Sequence, residues 1–316
     1  MKTEELLLDT KRFVPAWKEF WTPAPGMLDF EEKKKSFADP QGRMMVCGHR
    51  GDINIYYPEN SLEGCLSAIE AGADMLEVDV HTTLDGVLLI MHDDTLTRTT
   101  NVSALRSEGQ DWMPESDLIC DWTWEQICRL RLKDKSGAVT EYAVPALKDV
   151  IRIAKDRVFI TLDKNHAFRW EDVQKLIREL GAWETVLIPY NYPVEQVLRI
   201  REEMYALSGI NPPYFAGVVV GNGVWSPEKM QEMAHFLREN GMSPVLRGGY
   251  YNEEDMPWLL PVFTEFRKTH RIYAESMGDH RDKPEVWEKM LAVGCGIFMG
   301  NRLYDLLRIV KQRHFE

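Results

Sequence analysis

Long hydrophobic runs are missing from this chain of 316 residues. No stretch reaches the about 18 consecutive apolar residues expected of a membrane helix. The early Leu6–Leu8 run is flanked by acids and is too short for a signal-peptide core. Neither a membrane span nor a secretory leader is therefore expected. Cysteine is scarce and scattered: Cys47, Cys65, Cys120, Cys128 and Cys295 form no C-x-x-C pair, and their number is odd. That argues against a disulfide framework and for free, mostly buried thiols in a reducing cytoplasm. Basic charge is also in deficit. The 38 Lys and Arg against 50 Asp and Glu leave a net charge of -12. Such a chain is a poor non-specific ligand for nucleic acid or for an anionic membrane. A phosphate substrate would need local cations to overcome that field, so a metal is expected.

What is present is a regular alternation. From Met44 onward, β-type runs alternate with amphipathic stretches. Strands are expected at residues 44–48, 75–80, 158–162, 185–189, 215–220, 243–247, 271–276 and 296–300. Helices are expected at 61–71, 146–155, 171–180, 194–204, 227–240, 255–269, 283–293 and 302–313. Strand-then-helix order repeated eight times predicts a parallel sheet closed into a (β/α)8 TIM barrel. An open doubly wound sheet is the weaker alternative, because no G-x-G-x-x-G turn follows the first strand. Boundary residues agree with this order. Ser61 and Ser226 can cap helices, and Gly72, Gly181, Gly241 and Gly294 follow helical runs.

Two segments depart from the alternation. Residues 1–43 form an N-terminal extension in which Leu6, Leu7, Val14, Trp17, Phe20 and Trp21 suggest a helix lying on the outside of the barrel, ended by the Thr22–Gly26 turn. The barrel domain then occupies 44–316. Asp85–Gly86 signals a hairpin that extends the second strand. After it, an insertion of about 93–145 precedes the second helix. In a barrel this insertion falls over the C-terminal face, where active sites are built. Its Trp112, Trp122 and Trp124 could pack a small cap or stack on a choline-like cation.

The chemistry concentrates between Cys47 and Asn101. Glu77 and Asp79 are two apart on a strand and point to one face, while Leu76, Val78 and Val80 occupy the other. Paired carboxylates at a barrel mouth repel unless a cation lies between them. Oxygen ligands favour Mg²⁺, Ca²⁺ or Mn²⁺. His49 and His92 fall at strand ends, where one imidazole can accept a proton and the other supply one. Arg50 can grip a phosphate in bidentate fashion. Asp163 and Lys164 end the third strand of the barrel: Asp163 can complete a metal shell and Lys164 can offset phosphate charge. Among the other histidines, His81 is read as pointing away from Asp79. His166 stands close to Asp163, and His235 and His270 are read as peripheral.

These blocks together resemble the glycerophosphodiester phosphodiesterase family. The matching runs are HRG at 49–51, PEN at 58–60, GAD at 72–74, EVDV at 77–80, T-x-DG at 83–86, HDD at 92–94 and RTTN at 98–101. The resemblance spans roughly Met44 to Val310. It implies a divalent metal and hydrolysis of a small-molecule glycerophosphodiester to glycerol 3-phosphate and an alcohol. It also implies His49 and His92 as the acid–base pair, and Glu77, Asp79 and a third carboxylate as metal ligands. Arg50 would contact phosphate. The family is similar to phosphatidylinositol-specific phospholipases, so attack by the glycerol 2-hydroxyl through a cyclic phosphate is one alternative. A phosphodiester-binding protein without turnover is another. This chain departs from the family pattern in four places. Asp163 is followed directly by Lys164 where the family has Glu-x-Lys. Gly300–Asn301–Arg302–Leu303 replaces T-D-x-P, Glu275 stands in the seventh strand where Trp is frequent, and Pro189–Tyr190 replaces a basic residue after the fourth.

Overall fold

In the computed structural model, the described residues are 10, 12–53, 55–188, 194–213, 216–217, 235, 239, 245–248, 261, 264, 267–269, 271–275, 282–292 and 294–316. The strands are β1 (Met45–His49), β2 (Met75–Thr82), β3 (Leu88–Ile90), β4 (Phe159–Asp163), β5 (Ala216–Gly217), β6 (Val245–Gly248), β7 (Arg271–Glu275) and β8 (Cys295–Gly300). Parallel pairing runs β5-β6-β7-β8-β1-β2-β4, and β3 adds to β2 as an antiparallel hairpin strand. The first and last strands are thus neighbours, with Gly48 opposite Gly300. That adjacency is the mark of a sheet curling into a TIM barrel. The α-helices are α1 (Phe30–Ala38), α2 (Leu62–Ala71), α3 (Val102–Ser107), α4 (Trp124–Ile127), α5 (Leu147–Ala154), α6 (Trp170–Leu180), α7 (Val194–Ser208), α8 (Pro284–Ala292) and α9 (Leu303–His314), and single 3-10 turns lie at Pro25–Met27 and Ile119–Asp121.

The expected caps recur where they are described. The Ser61 hydroxyl accepts from Gly64 N–H at the start of α2, and Gly72 (φ 99°) and Gly181 (φ 62°) end α2 and α6 in the left-handed conformation. The strand expected at 185–189 is reduced to one parallel bridge, Val186 to Ile160. Residues 189–190, most of the helices expected at 227–240 and 255–269, and His270 and His280 lie outside the described residues.

Strand parity sorts the core into two layers. Val46, Leu76, Val78, Ile160, Ile272, Ala274 and Phe298 face outward into one cluster with the surrounding helices. Met45, Cys47, Met75, Phe159, Tyr273, Ile297 and Met299 face inward into a second cluster, which also takes Phe30 and Phe37 from α1. Phe159 has its ring 5.3 Å from Phe30 and 4.7 Å from Phe37. Helix α1 therefore closes the N-terminal end of the barrel interior. Asp29 caps it by accepting from Glu31 and Glu32 N–H. Buried Lys33 ties it down by donating to Ala73 O at 2.8 Å and Arg157 O at 3.0 Å.

Of the helix expected before the Thr22–Gly26 turn, residues 1–9 and 11 lie outside the described residues. The described part of that stretch forms consecutive turns at 16–20, and helix α1 follows the proline-rich turn. Trp17 and Trp21 are nonetheless buried, because their indole N–H groups reach the α2 carbonyls of Ser67 (3.2 Å) and Ala71 (2.9 Å).

Between β3 and α5, residues 93–145 pack a small core together with Leu89 and Met91. Trp122 is fully buried there with Leu96, Val102, Ile119 and Leu132, and its N–H donates to Ser116 O at 2.8 Å. Trp112 and Trp124 pack against this core, and the Arg129 guanidinium lies 4.9 Å from the Trp112 ring. Trp122 is spent on packing and is closed to a ligand cation. Among the described residues, no helix is long and apolar enough to cross a membrane. All five cysteines are free, and Cys47, Cys65 and Cys295 are buried.

Candidate active site

The inward parity that buries Met45, Cys47, Met75 and Phe159 continues toward the C-terminal strand ends. There it delivers His49 from β1, Glu77 and Asp79 from β2, and Thr161 and Asp163 from β4. Strand register brings them together: His49 is opposite Glu77, Glu77 opposite Thr161, and Asp79 opposite Asp163. Carboxylate oxygens of Glu77, Asp79 and Asp163 all lie within 4.8 Å of one another. Glu77 and Asp79 are buried, with 2% and 1% of their surface exposed. Burial pushes the Asp79 carboxyl above the usual range, and the Asp163 charge adds to the rise, against the opposing pull of Arg50 and Asn60. Beside Glu77, the Thr161 hydroxyl is buried with no hydrogen-bond partner among the described residues.

This set suits a divalent cation. It holds three oxygen donors, an excess of negative charge and an unpartnered polar atom in a low-dielectric setting. The donors are all oxygen, as Mg²⁺, Ca²⁺ and Mn²⁺ prefer.

The two histidines flank this cluster with different partners. His49 is buried, with Nδ1 2.7 Å from the Asn301 Oδ1 and Nε2 3.8 Å from Glu77. Burial, reinforced by the Arg50 charge, drops its pKa to about 3. The β2–β3 hairpin places His92: the Met91 N–H donates to Asp79 O at 2.8 Å, so the next residue sits above the carboxylates. His92 Nδ1 lies 2.6 Å from the Asp93 carboxylate. Arg98 in turn holds Asp93 at 2.6 Å and Glu59 at 2.6 Å. Its guanidinium keeps Asp93 well below the usual carboxylate range, with the His92 bond contributing.

Arg50 follows His49 in the left-handed region (φ 52°), and its N–H donates to Glu77 O at 2.9 Å. Its guanidinium donates to Glu59 at 3.2 Å and lies 3.2 Å from Asp79. Asn60 (φ 52°) donates to Asp79 at 2.9 Å. Lys164 is half-buried with φ 65°, and its N–H donates to Asp163 Oδ1 at 2.7 Å.

All seven residues expected from sequence thus gather at one end of the barrel. Parity corrects the expectation for His81: it is two residues beyond Asp79 and shares its face. It is buried, with Nε2 3.9 Å from Asp94, and burial lowers its pKa. Asp94 also lies 3.7 Å from exposed His166. His235 is peripheral, exposed and paired with Glu239 at 3.0 Å. Glu275 is buried on the inner face opposite Met299, below the level of His49.

The supporting residues Glu59, Asn60, Asp93, Arg98 and Asn301 had no role assigned from sequence. Four of them stand inside the PEN, HDD and RTTN blocks, and that spacing was the available signal. Asn301 comes from the other end of the chain, and its one signal was its place in Gly300–Asn301–Arg302–Leu303, the run that replaces T-D-x-P.

Comparison with known proteins points the same way. Residues 49–205 match the glycerophosphoryl diester phosphodiesterase family model. A glycerophosphodiester phosphodiesterase of Bacillus altitudinis is 30% identical over 141 residues, 42% of this chain and 51% of that protein. One of Caldanaerobacter subterraneus subsp. tengcongensis is 34% identical over 119 residues, 37% of this chain and 43% of that protein. The aligned region thus spans about half the length of the curated relatives it matches. Among solved structures, a glycerophosphoryl diester phosphodiesterase from Parabacteroides distasonis superposes with a TM-score of 0.68 at 22% identity, covering 90% of this chain and 92% of that one. A phosphodiesterase from Oleispira antarctica, solved with the product sn-glycerol-3-phosphate, superposes with a TM-score of 0.59 at 17% identity, covering 84% and 96%. At those identities the superpositions establish the barrel fold.

Proposed function

We propose that the chain is a member of the glycerophosphodiester phosphodiesterase family, whose model its residues 49–205 match, and that it hydrolyses a glycerophosphodiester to glycerol 3-phosphate and an alcohol in a metal-dependent reaction. The observation that carries the reading is the trio Glu77, Asp79 and Asp163, with oxygens within 4.8 Å of one another, flanked by His49 and His92. The proposed catalytic unit is the barrel of residues 44–316 with its insertion at about 93–145, preceded by the extension 1–43, of which α1 helps close the N-terminal end of the barrel. We place the protein in the cytoplasm.

In this reading the three carboxylates would hold one Mg²⁺, Ca²⁺ or Mn²⁺ ion. A bound divalent ion supplies positive charge that polarises a phosphate. The rest falls to the chain's own side chains. One histidine takes the proton from the attacking oxygen while the other gives one to the departing alcohol oxygen, so that the alcohol leaves neutral. Substrate phosphate would draw the Arg50 guanidinium from Glu59 and Asp79 into a bidentate contact. Lys164 would add a second cation on the β4 side, stabilising the charge that builds on the phosphate oxygens. The Asp93–Arg98–Glu59 network holds His92 and Arg50 in register, since each member has at least one charged neighbour within 3.2 Å.

The test is product analysis with a panel of glycerophosphodiesters of different head groups, each with Mg²⁺, Ca²⁺, Mn²⁺ or chelator. Metal-dependent glycerol 3-phosphate release is expected. A persistent cyclic phosphate would instead assign a phospholipase-type reaction, and binding without any product would assign a binder.

A further inference from the structure

Beyond the carboxylate trio, three polar side chains from three separate segments face one another across gaps. His81 stands on β2 two residues past Asp79 on the same face, a step of about 6.6 Å. Asp94 opens the insertion, and its carbonyl accepts from Ile119 N–H at 2.9 Å. His166 lies in the loop between β4 and α6. The Thr82 hydroxyl fastens that loop to the end of β2 by donating to Ala167 O at 2.9 Å. Both rings turn Nε2 toward one oxygen: Asp94 Oδ1 lies 3.9 Å from His81 and 3.7 Å from His166. Neither gap is a hydrogen bond, which would close to about 2.7–3.2 Å. His81 is 4% exposed, and its Nε2 is buried with no hydrogen-bond partner among the described residues. Such an atom costs free energy until a partner reaches it. The ring's other hydrogen bond goes to the backbone of His92, so the cluster adjoins the reacting end of the barrel.

Spacing separates a metal ion from an organic cation here. Two ligands of one metal ion, each about 2.1 Å from it, stand no more than about 4.2 Å apart. Among the described residues, the one grouping of His, Cys, Asp or Glu whose ligand atoms all lie within 4.8 Å of one another is Glu77, Asp79 and Asp163. His81, Asp94 and His166 are therefore spread too widely to close on a metal together. Atoms that accept from one ammonium nitrogen at about 2.8 Å can stand up to about 5.6 Å apart. The gaps of 3.9 and 3.7 Å fall inside that range. Charge decides the sign of the occupant. Among the described residues no lysine or arginine pairs with Asp94, whose ionic neighbours are the two imidazoles. The adjacent Asp93 is spent on His92 and Arg98. Lys164 also acts on His81, and a phosphate on the trio would draw that charge to itself.

We propose that His81, Asp94 and His166 form a head-group subsite for a primary ammonium, so that the preferred glycerophosphodiester carries an amino alcohol. The inference rests on the proposed phosphodiesterase reading and names its substrate class. With the phosphate on the trio, an amine on a short chain past the ester oxygen spans the step from Asp79 to His81. Its three N–H groups meet one carboxylate oxygen and two imidazole nitrogens. A quaternary ammonium has no N–H to give, so it leaves His81 Nε2 unpartnered. An uncharged polyol forgoes the attraction of Asp94, and an anionic head group is repelled by it.

The experiment compares kcat/KM for glycerophosphoethanolamine, glycerophosphocholine and glycerophosphoglycerol on the full chain with the divalent ion that activates it. Wild type should favour the ethanolamine ester over the choline ester by about 10-fold, chiefly through KM. Asp94→Asn, at an exposed position, should erase most of that ratio, with a larger loss for the ethanolamine ester than for the other two. His81→Leu removes the buried nitrogen and should shrink the ratio likewise, whatever it does to thermal stability. Equal turnover of the ethanolamine and choline esters by wild type would overturn the subsite. So would an Asp94→Asn loss of the same size for all three esters, which would give the cluster to the glycerol hydroxyls they share. If no ester is hydrolysed with any metal, the phosphodiesterase reading fails by itself. The Kd values of the same three esters, measured by calorimetry on wild type and Asp94→Asn, then decide the subsite by the same ratio.

Discussion

The two ends of the barrel interior are built from the same strands and do opposite jobs. At the N-terminal end, Met45, Met75 and Phe159 meet Phe30 and Phe37 of α1 in a dry apolar plug. Two to four residues further along the same strands, the inward positions hold His49, Glu77, Asp79 and Asp163. The first set contributes stability by removing apolar surface from water. The second gathers buried carboxylates whose mutual repulsion costs stability in the absence of a cation. One strand can therefore be altered at one end for folding and at the other for chemistry. The contrast is testable because the two outcomes separate.

The largest expected effect lies at the plug. Phe159→Ala removes a ring packed on two others, and should cost about 3–5 kcal/mol of unfolding free energy while the folded fraction keeps its turnover. Denaturant unfolding paired with activity per folded molecule checks both halves. A variant that loses turnover while keeping its stability would show that the two ends are not separable.

At the opposite end the signs reverse. His49→Ala and His92→Ala should each cut turnover by about 10² or more, near 2.7 kcal/mol of barrel-mouth chemistry. Thermal stability should hardly move for exposed-side His92. Wild-type rates in either variant would remove that residue from the acid–base pair.

Asp52 sharpens the comparison between the ends, since it is a buried carboxylate behind the site. It sits 3.4 Å from the Tyr304 hydroxyl, and burial pushes its pKa up to about 7. A carboxyl raised in the folded state binds more protons folded than unfolded between its two pKa values. Stability is therefore greatest below the unfolded value and falls as pH rises from about 4 toward 7, by up to about 4 kcal/mol. Asp52→Asn should flatten this slope in thermal melts taken from pH 4 to 8. An unchanged slope would show that Asp52 is not its source.

The smallest effect is expected in the insertion. Trp112 packs at the edge of the 93–145 core and carries Arg129 on its ring. Trp112→Ala should cost no more than about 1 kcal/mol of stability and leave the ranking of head groups unaltered. A selective loss for choline-bearing substrates would mean that this ring reaches the pocket.

Much of this was legible in the chain before any coordinates. Period-two patterning around Glu77 and Asp79 foretold which carboxylates share a face, and the Asp85–Gly86 turn foretold the hairpin that lifts His92 over Asp79. The same parity rule, applied to His81, places it with Asp79 and not opposite it. The position of α1 was not legible. Phe30 and Phe37 drew no reading from the sequence, and only the open bottom of a barrel explains why they are buried. Asn301 was invisible as a partner of His49 because 252 residues separate them and only the closure of β8 on β1 joins them. The strand expected at 185–189 survives as a single bridge, since a short apolar run does not reveal how many ladder bonds it will make.

The most direct test of the account is a metal titration of wild type and Asp79→Asn, followed by both glycerol 3-phosphate release and thermal melting. The account predicts that Mg²⁺, Ca²⁺ or Mn²⁺ switches on release in the wild type and raises its melting temperature, the stabilisation being about 2.7 kcal/mol at one hundred times the dissociation constant. Both responses should be lost in a folded Asp79→Asn. Release that persists in chelator, or a variant that responds to metal as the wild type does, would contradict it.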